Sequence, residues 1–203
     1  MAIFCIAGMS GVGKSTIAKE ISKMMGLPLV ISCTTRPRRP NENDGIDYHF
    51  ITDKVYDFLL SENKLVAKES FNVVDGEVWK YGFVSNELLR NKHCLTVINP
   101  KGITDLKNDG IENVVSILID VDEKERMERI MKRNDNQKAA EIKRRTIKDR
   151  EMFDQYNFDY VVNNDTIENS LKTITEIIEK EKDKQNYKEL SSWCAERMKR
   201  QNI

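Results

Sequence analysis

The chain has 203 residues, enough for one well-filled core with an inserted subdomain, and about a third of them are charged. The 33 Lys and Arg balance the 33 Asp and Glu, so no global field recruits a polyanion and nucleic acid is not an expected partner. No apolar run approaches the ~18–20 residues of a membrane span, and the N-terminus reads as a core strand rather than a signal peptide. No membrane partner and a cytoplasmic setting are therefore expected. Cys5, Cys33, Cys94 and Cys194 form no C-x-x-C pair, and the first three fall in strand-like runs, where a thiol acts as a small buried apolar group.

The first strand, Ala2–Ala7, runs into Gly8-Met-Ser-Gly-Val-Gly13-Lys14-Ser15-Thr16, a complete G-x-x-x-x-G-K-[ST] loop. Set between a strand and a predicted helix (Ser15–Met25), this pattern binds a nucleoside triphosphate. The glycines let the backbone through Gly8, Ser10, Gly11, Val12 and Gly13 curl its N–H groups inward. Lys14 reaches the outer phosphates, and the Ser15 hydroxyl suits Mg²⁺. Thr16 lies in the first helical turn, whose dipole favours the same anion.

A predicted strand, Leu29–Cys33, leads into Ser32-Cys-Thr-Thr-Arg36-Pro-Arg-Arg39-Pro and then Asp44-Gly45-Ile-Asp47-Tyr48. Two arginines three apart in a proline-stiffened loop suit bidentate grip of a phosphate, and a tyrosine hydroxyl can add a donor. A second anion site beside a triphosphate loop implies a phosphorylated acceptor. Arg38 reads as an exposed partner of nearby acids such as Glu42.

From Thr34 to Val84 short strands (Asp47–Ile51, Leu65–Phe71, Glu77–Phe83) surround one helix (Lys54–Asn63), with Asp75-Gly76 as a hairpin turn. This reads as a small β-rich insert. Beyond it, apolar strands (Cys94–Asn99, Val114–Asp120, Tyr160–Asn163) alternate with helices (Lys101–Asn108, Glu123–Arg133, Ala139–Tyr156). That alternation predicts an α/β fold with a central parallel sheet covered on both faces, a three-layer P-loop NTPase architecture. The polar, basic stretch 133–145 reads as a helical lid. The predicted layout is a domain over 1–182, with its core in 1–33 and 85–182 and its insert in 34–84, followed by a helical extension over 183–203. In that extension Tyr187, Leu190, Trp193, Cys194 and Met198 form an apolar stripe. The favoured reading packs the stripe on the domain itself; docking across a homodimer is the other.

The segment SCTTRPRRPNENDGIDYHF resembles the signature of guanylate kinases, S-x-T-T-R-x-x-R-x-x-E-x-x-G-x-D-Y. The resemblance covers residues 2 to 180 and resumes from Arg129 through the lid to Asp165, including Glu151-Met152 and Phe158-Asp159-Tyr160. It implies an ATP- and Mg²⁺-dependent nucleoside monophosphate kinase. By resemblance, Arg36, Arg39, Tyr48 and Tyr81 hold the acceptor phosphate and Ser32 touches its base. Arg133 in the lid and Arg144 on the following helix clamp the transferring phosphoryl group, with Lys14 and Arg36 completing the catalytic set. Asn164 falls where the family contacts the adenine end of the donor, and Arg129 is grouped with that donor site.

Departures from the family concentrate at the base pocket. The glutamate that reads the guanine edge is replaced by Ala67, with Glu69 two residues later; Phe83 replaces a hydroxyl residue; Val97-Ile98-Asn99 replaces an acid-x-acid sequence. The segment between Phe71 and Tyr81 is also longer and carries Trp79. Two readings stay open at this stage: a more apolar pocket, or Glu69 substituting for the missing carboxylate after a shift in the strand. GMP or dGMP is the expected acceptor. Another nucleotide monophosphate, ribose 1,5-bisphosphate, or a catalytically inactive phosphopeptide-binding module are the alternatives.

Overall fold

The computed structural model describes residues 1–73, 76–132, 147 and 149–201, and the side chains among them up to residue 192. All six residues of the first strand (β1, Ala2–Ala7) are buried. Only a strand covered on both faces can bury an unbroken apolar run. Phe4 and Ile6 point into one cluster with Ile17 and Ile21 of the first helix (α1, Lys14–Met25) and Ile174 and Ile178 of the last (α7, Ile167–Gln201). Ile3 and Cys5 point into the opposite cluster, with Leu88 of α3 (Ser85–Leu89) and Ile103 and Leu106 of α4 (Pro100–Asn108).

Around β1 stand β2 (Leu29–Val30), β7 (His93–Val97), β8 (Val114–Asp120) and β9 (Tyr160–Asn163), all parallel, in the order β2-β7-β1-β8-β9. Helix α5 (Glu123–Lys132) and a helical stretch at 149–154 (α6) lie between β8 and β9 in the chain. The expected α/β sandwich is therefore present. A second sheet of four strands, in the order β4-β3-β6-β5, is formed by β3 (Cys33–Thr34), β4 (His49–Phe50), β5 (Leu65–Asn72) and β6 (Val78–Val84). Tyr56 of α2 (Asp53–Ser61) packs with Cys33 and Leu65 beneath it. Ala67 and Phe83 anchor this sheet to the core by joining the cluster that holds Ile98 and Ile103.

The run expected to form one strand over Leu29–Cys33 is divided. Val30 aligns with Thr96 of the main sheet, whose hydroxyl donates to the Val30 carbonyl at 2.8 Å, while Cys33 pairs with His49 and Gly82 of the second sheet. An apolar run carries no mark of which sheet will pair with it, so the division is a tertiary event. It leaves Ser32 at the junction of the two sheets. At the C-terminus, Tyr187 and Leu190 are exposed rather than packed on the domain. There α7 meets the body through polar contacts, with Glu189 near Lys92 at 3.3 Å and the N-terminal amine at 3.8 Å. Trp193, Cys194 and Met198 lie outside the described side chains. Among the described residues no helix is long and apolar enough to cross a membrane.

Candidate active site

The phosphate loop sits between the carboxyl end of β1 and the start of α1. A Cβ on Gly8 would lie 2.5 Å from the Ile119 carbonyl oxygen, so only glycine lets the loop turn against β8. Gly11 has φ +93°, and a side chain there would run into α5 at the Arg126 carbonyl oxygen, 2.9 Å away. Lys14 folds back over the loop and donates its ammonium to the Met9 carbonyl at 2.9 Å. Ser15 and Thr16 are exposed in the first turn of α1. On the open side of the loop, the Ser10 N–H donates to the Asp149 carboxylate of α6 at 3.3 Å. An anion thus already accepts from the cradle, as a phosphate oxygen would.

Arg36 follows β3 and is buried, 4 % exposed. Its guanidinium forms a two-pronged pair with Glu42, at 2.9 and 2.8 Å, and its Nε donates to the Tyr81 hydroxyl at 3.2 Å. The Tyr48 ring faces the same guanidinium at 5.2 Å. Burial works against the charge on Arg36, but the Glu42 carboxylate more than restores it and raises its pKa further. Burial also opposes ionisation of Glu42; Arg36 and the Arg39 N–H overcome it and hold that carboxyl below the usual range. Tyr48 is pushed the other way, chiefly by burial and then by Tyr81, which keeps it a neutral hydroxyl able to donate. The expected Arg38–Glu42 pairing is corrected: Arg38 reaches only the Glu42 main-chain carbonyl, at 2.9 Å, because Arg36 occupies the carboxylate. That carboxylate sets the geometry of the arginine pair, and its place in the signature motif was the only sequence sign of it.

The residues expected to face the base line a cavity of about 250 Å³ bounded by both sheets and α6. Its character turns on a β-bulge. Val66 pairs with Phe83 and Glu69 pairs with Tyr81, so two residues, Ala67 and Lys68, stand opposite Gly82 alone. Ala67, the first residue of the bulge, takes left-handed backbone, at φ +47°, as in the G1 type of bulge. In an unbroken ladder Lys68 would oppose Tyr81. The extra residue turns Lys68 outward and brings Glu69 inward, into the column Val66, Glu69, Phe71 facing Phe83, Tyr81 and Trp79. Ala67 and Phe83 are buried, as the apolar reading expects, yet a carboxylate is present as well.

Asn99, the N-cap of α4, fixes this carboxylate. Its side-chain oxygen accepts from the Gly102 N–H at 2.8 Å, which leaves its amide nitrogen to donate to Glu69. Ser32 and Tyr48 line the same cavity. A second cavity, of about 230 Å³, joins Arg36 and Arg39 to Gly13, Lys14 and Ser15 of the loop.

Not every expected donor residue lines that space. Asn164 is 2 % exposed and lies behind the loop, donating to the Val12 carbonyl at 2.8 Å and accepting from Ser170 at 2.9 Å. Arg129 approaches Gly13 from the same side and pairs with Glu125 at 2.6 Å. Arg133 and Arg144, with the expected lid at 133–145, lie outside the described residues. Asp149 was missed, since nothing in the sequence marks one acid among the charges of a helix. Burial raises the thiols of Cys33 and Cys94 to about 11, and Cys5 further still, which keeps all three protonated and inert.

Among the described residues no group of three or more His, Cys, Asp or Glu could hold a metal ion. In phosphoryl-transfer sites Mg²⁺ is held by few protein oxygens together with the substrate phosphates and waters. Ser15, at the mouth of the second cavity, is the residue that would hold it.

The guanylate kinase family model matches residues 1–181. The guanylate kinase of Thermotoga maritima is 32% identical over 190 residues, covering 90% of this chain and 88% of that protein. That of Onion yellows phytoplasma is 32% identical over 186 residues, covering 88% and 85%. A crystal structure of guanylate kinase from Anaplasma phagocytophilum superposes with a TM-score of 0.65 at 23% identity, covering 89% of this chain and 85% of that one, which shows a shared fold. With a phosphate loop, an arginine pair and a carboxylate-bearing pocket in one cleft, and a family match across nearly its whole length, the chain belongs to the guanylate kinase family.

Proposed function

We propose that the protein transfers the γ-phosphoryl group of ATP to GMP or dGMP, giving ADP and GDP or dGDP. The observation that carries this reading is the shared cavity: Lys14 and Ser15 on one side, Arg36 and Arg39 on the other, bounding about 230 Å³. Two phosphates held there would lie in one cavity, between cations on both sides.

The acceptor phosphate is largely a dianion near neutral pH (second pKa about 6), so its oxygen attacks without a general base. A bond forms from that oxygen to the γ-phosphorus as the bond to the β,γ-bridging oxygen breaks, and ADP leaves with the electron pair. Catalysis is then alignment and neutralisation of charge. Lys14 draws charge from the donor phosphates. Arg36, held rigid by Glu42, and Arg39 orient the acceptor, with neutral Tyr48 and the hydroxyl of Tyr81 beside its oxygens. Arg133 and Arg144, assigned by resemblance, complete the positive set around the moving group. Mg²⁺ held at Ser15 would add neutralisation of the donor phosphates. At the other end, adjacent N1–H and N2–H donors of guanine match the two oxygens of Glu69, with Ser32 beside the ring and Phe83 beneath it.

A coupled ADP assay across ribo- and deoxynucleoside monophosphates and ribose 1,5-bisphosphate tests this reading. Turnover confined to GMP and dGMP is expected. Preference for another acceptor would overturn the base assignment, and no turnover with any acceptor would overturn the kinase.

A further inference from the structure

The phosphate loop is braced from behind by two buried side chains. Asn164 holds the Val12 carbonyl at 2.8 Å, and Arg126 of α5 donates through Nη1 to the Ser10 carbonyl at 3.3 Å. In a planar trans peptide the carbonyl and the following N–H point in opposite directions. A carbonyl drawn back toward α5 therefore turns the next N–H forward, so the two braces aim the N–H groups of Gly11 and Gly13 toward the bound anion. The Ser10 N–H already serves such an acceptor, the Asp149 carboxylate.

Arg126 is an unusual choice for such a brace. It is 0 % exposed; among the described residues its Nε and Nη2 have no hydrogen-bond partner, and the acid paired with it, Glu123, stands at 3.8 Å and is itself exposed. An arginine keeps its charge wherever it is placed, and an unbalanced buried charge destabilises a fold. An amide such as that of Asn164 would satisfy a carbonyl without this cost.

We propose that Arg126 is a positioning residue of the donor site, holding the Ser10–Gly11 peptide in its phosphate-binding orientation, and that the bound polyphosphate balances its charge. The inference rests on the donor-site reading above. It makes the ligand-free protein carry a buried cation balanced, among the described residues, only by the exposed Glu123 at 3.8 Å, a balance that nucleotide binding completes, so the same residue weakens the empty fold and tightens the occupied one.

Titration calorimetry of the full chain with ADP and, separately, with GMP tests this, using Arg126→Met and Arg126→Lys. For Arg126→Met, ADP affinity should fall about tenfold, the scale of a lost hydrogen bond to a charged group, and the KM for ATP should rise in step. GMP affinity and the KM for GMP should hold. Arg126→Lys, which keeps the charge, should recover part of the ADP affinity; should the methionine variant not fold, the lysine variant's ratio of ADP to GMP affinity decides alone. A ratio unchanged from the unaltered protein would make Arg126 a purely structural residue and overturn the proposal. Failure of the unaltered protein to bind ADP would remove the donor site itself, a different result from failure of the brace.

Discussion

The two ends of the cleft are built on different principles. The donor end is a continuous nine-residue loop whose binding groups are backbone N–H groups and one adjacent lysine. The acceptor end is assembled from side chains of β5, β6, the loop after β3 and the start of α4, across two sheets. A site made of consecutive backbone tolerates variation around it as long as the glycines remain. A site made of side chains on paired strands depends on register, and one added residue exchanges the face of everything that follows. In this chain that exchange brings Glu69, rather than Lys68, alongside Tyr81.

The largest effect should come from the donor end. Lys14→Ala should lower kcat by about 10² to 10³ or more, the scale of losing a preorganised charge at a transition state, with little change in melting temperature. A loss under about tenfold would mean that the loop binds nucleotide without directing transfer. At the acceptor end, Glu69→Gln should lower kcat/KM for GMP by about 10- to 100-fold, the range for a site left with a mismatched hydrogen bond. IMP, which lacks the 2-amino donor, should be affected less. Equal losses for both would show that Glu69 supports the pocket without reading the base, and that the acceptor end does not depend on strand register for its specificity.

The smallest effect concerns pH. The folded pKa of Glu42 lies below its ordinary value of 4.5, so its stabilising contribution is complete above that value and fades as pH falls below it. Glu42→Gln should therefore flatten the acid limb of stability, measured by urea denaturation between about pH 3 and 5, while lowering stability at neutral pH. An unchanged acid limb would locate acid sensitivity elsewhere, for instance at Asp47, which Lys19 holds down in the same direction.

Residues read from contiguous pattern and residues decided by packing separate cleanly. The β1–loop–α1 unit, the alternation of buried strands with helices and the Arg36/Arg39 pair are legible because local spacing alone identifies them. The partner of Arg36 is less so, since Glu42 could equally have served Arg38 by distance along the chain. The fate of the Leu29–Cys33 run and the exposure of Tyr187 and Leu190 are not legible, because both depend on which surface happens to lie opposite.

By itself, then, the sequence determined a G-x-x-x-x-G-K-S loop, an arginine pair three residues apart and the parallel α/β frame that carries them, since each follows from residue types at fixed short spacing. Tertiary structure decided what faces the base and what stands behind the loop. Ala67 could show its bulge only against β6, Glu69 its inward turn only through that bulge, and Arg126 its burial only beneath Ser10. Each of these depends on a neighbour far away in the chain, and no local spacing encodes it.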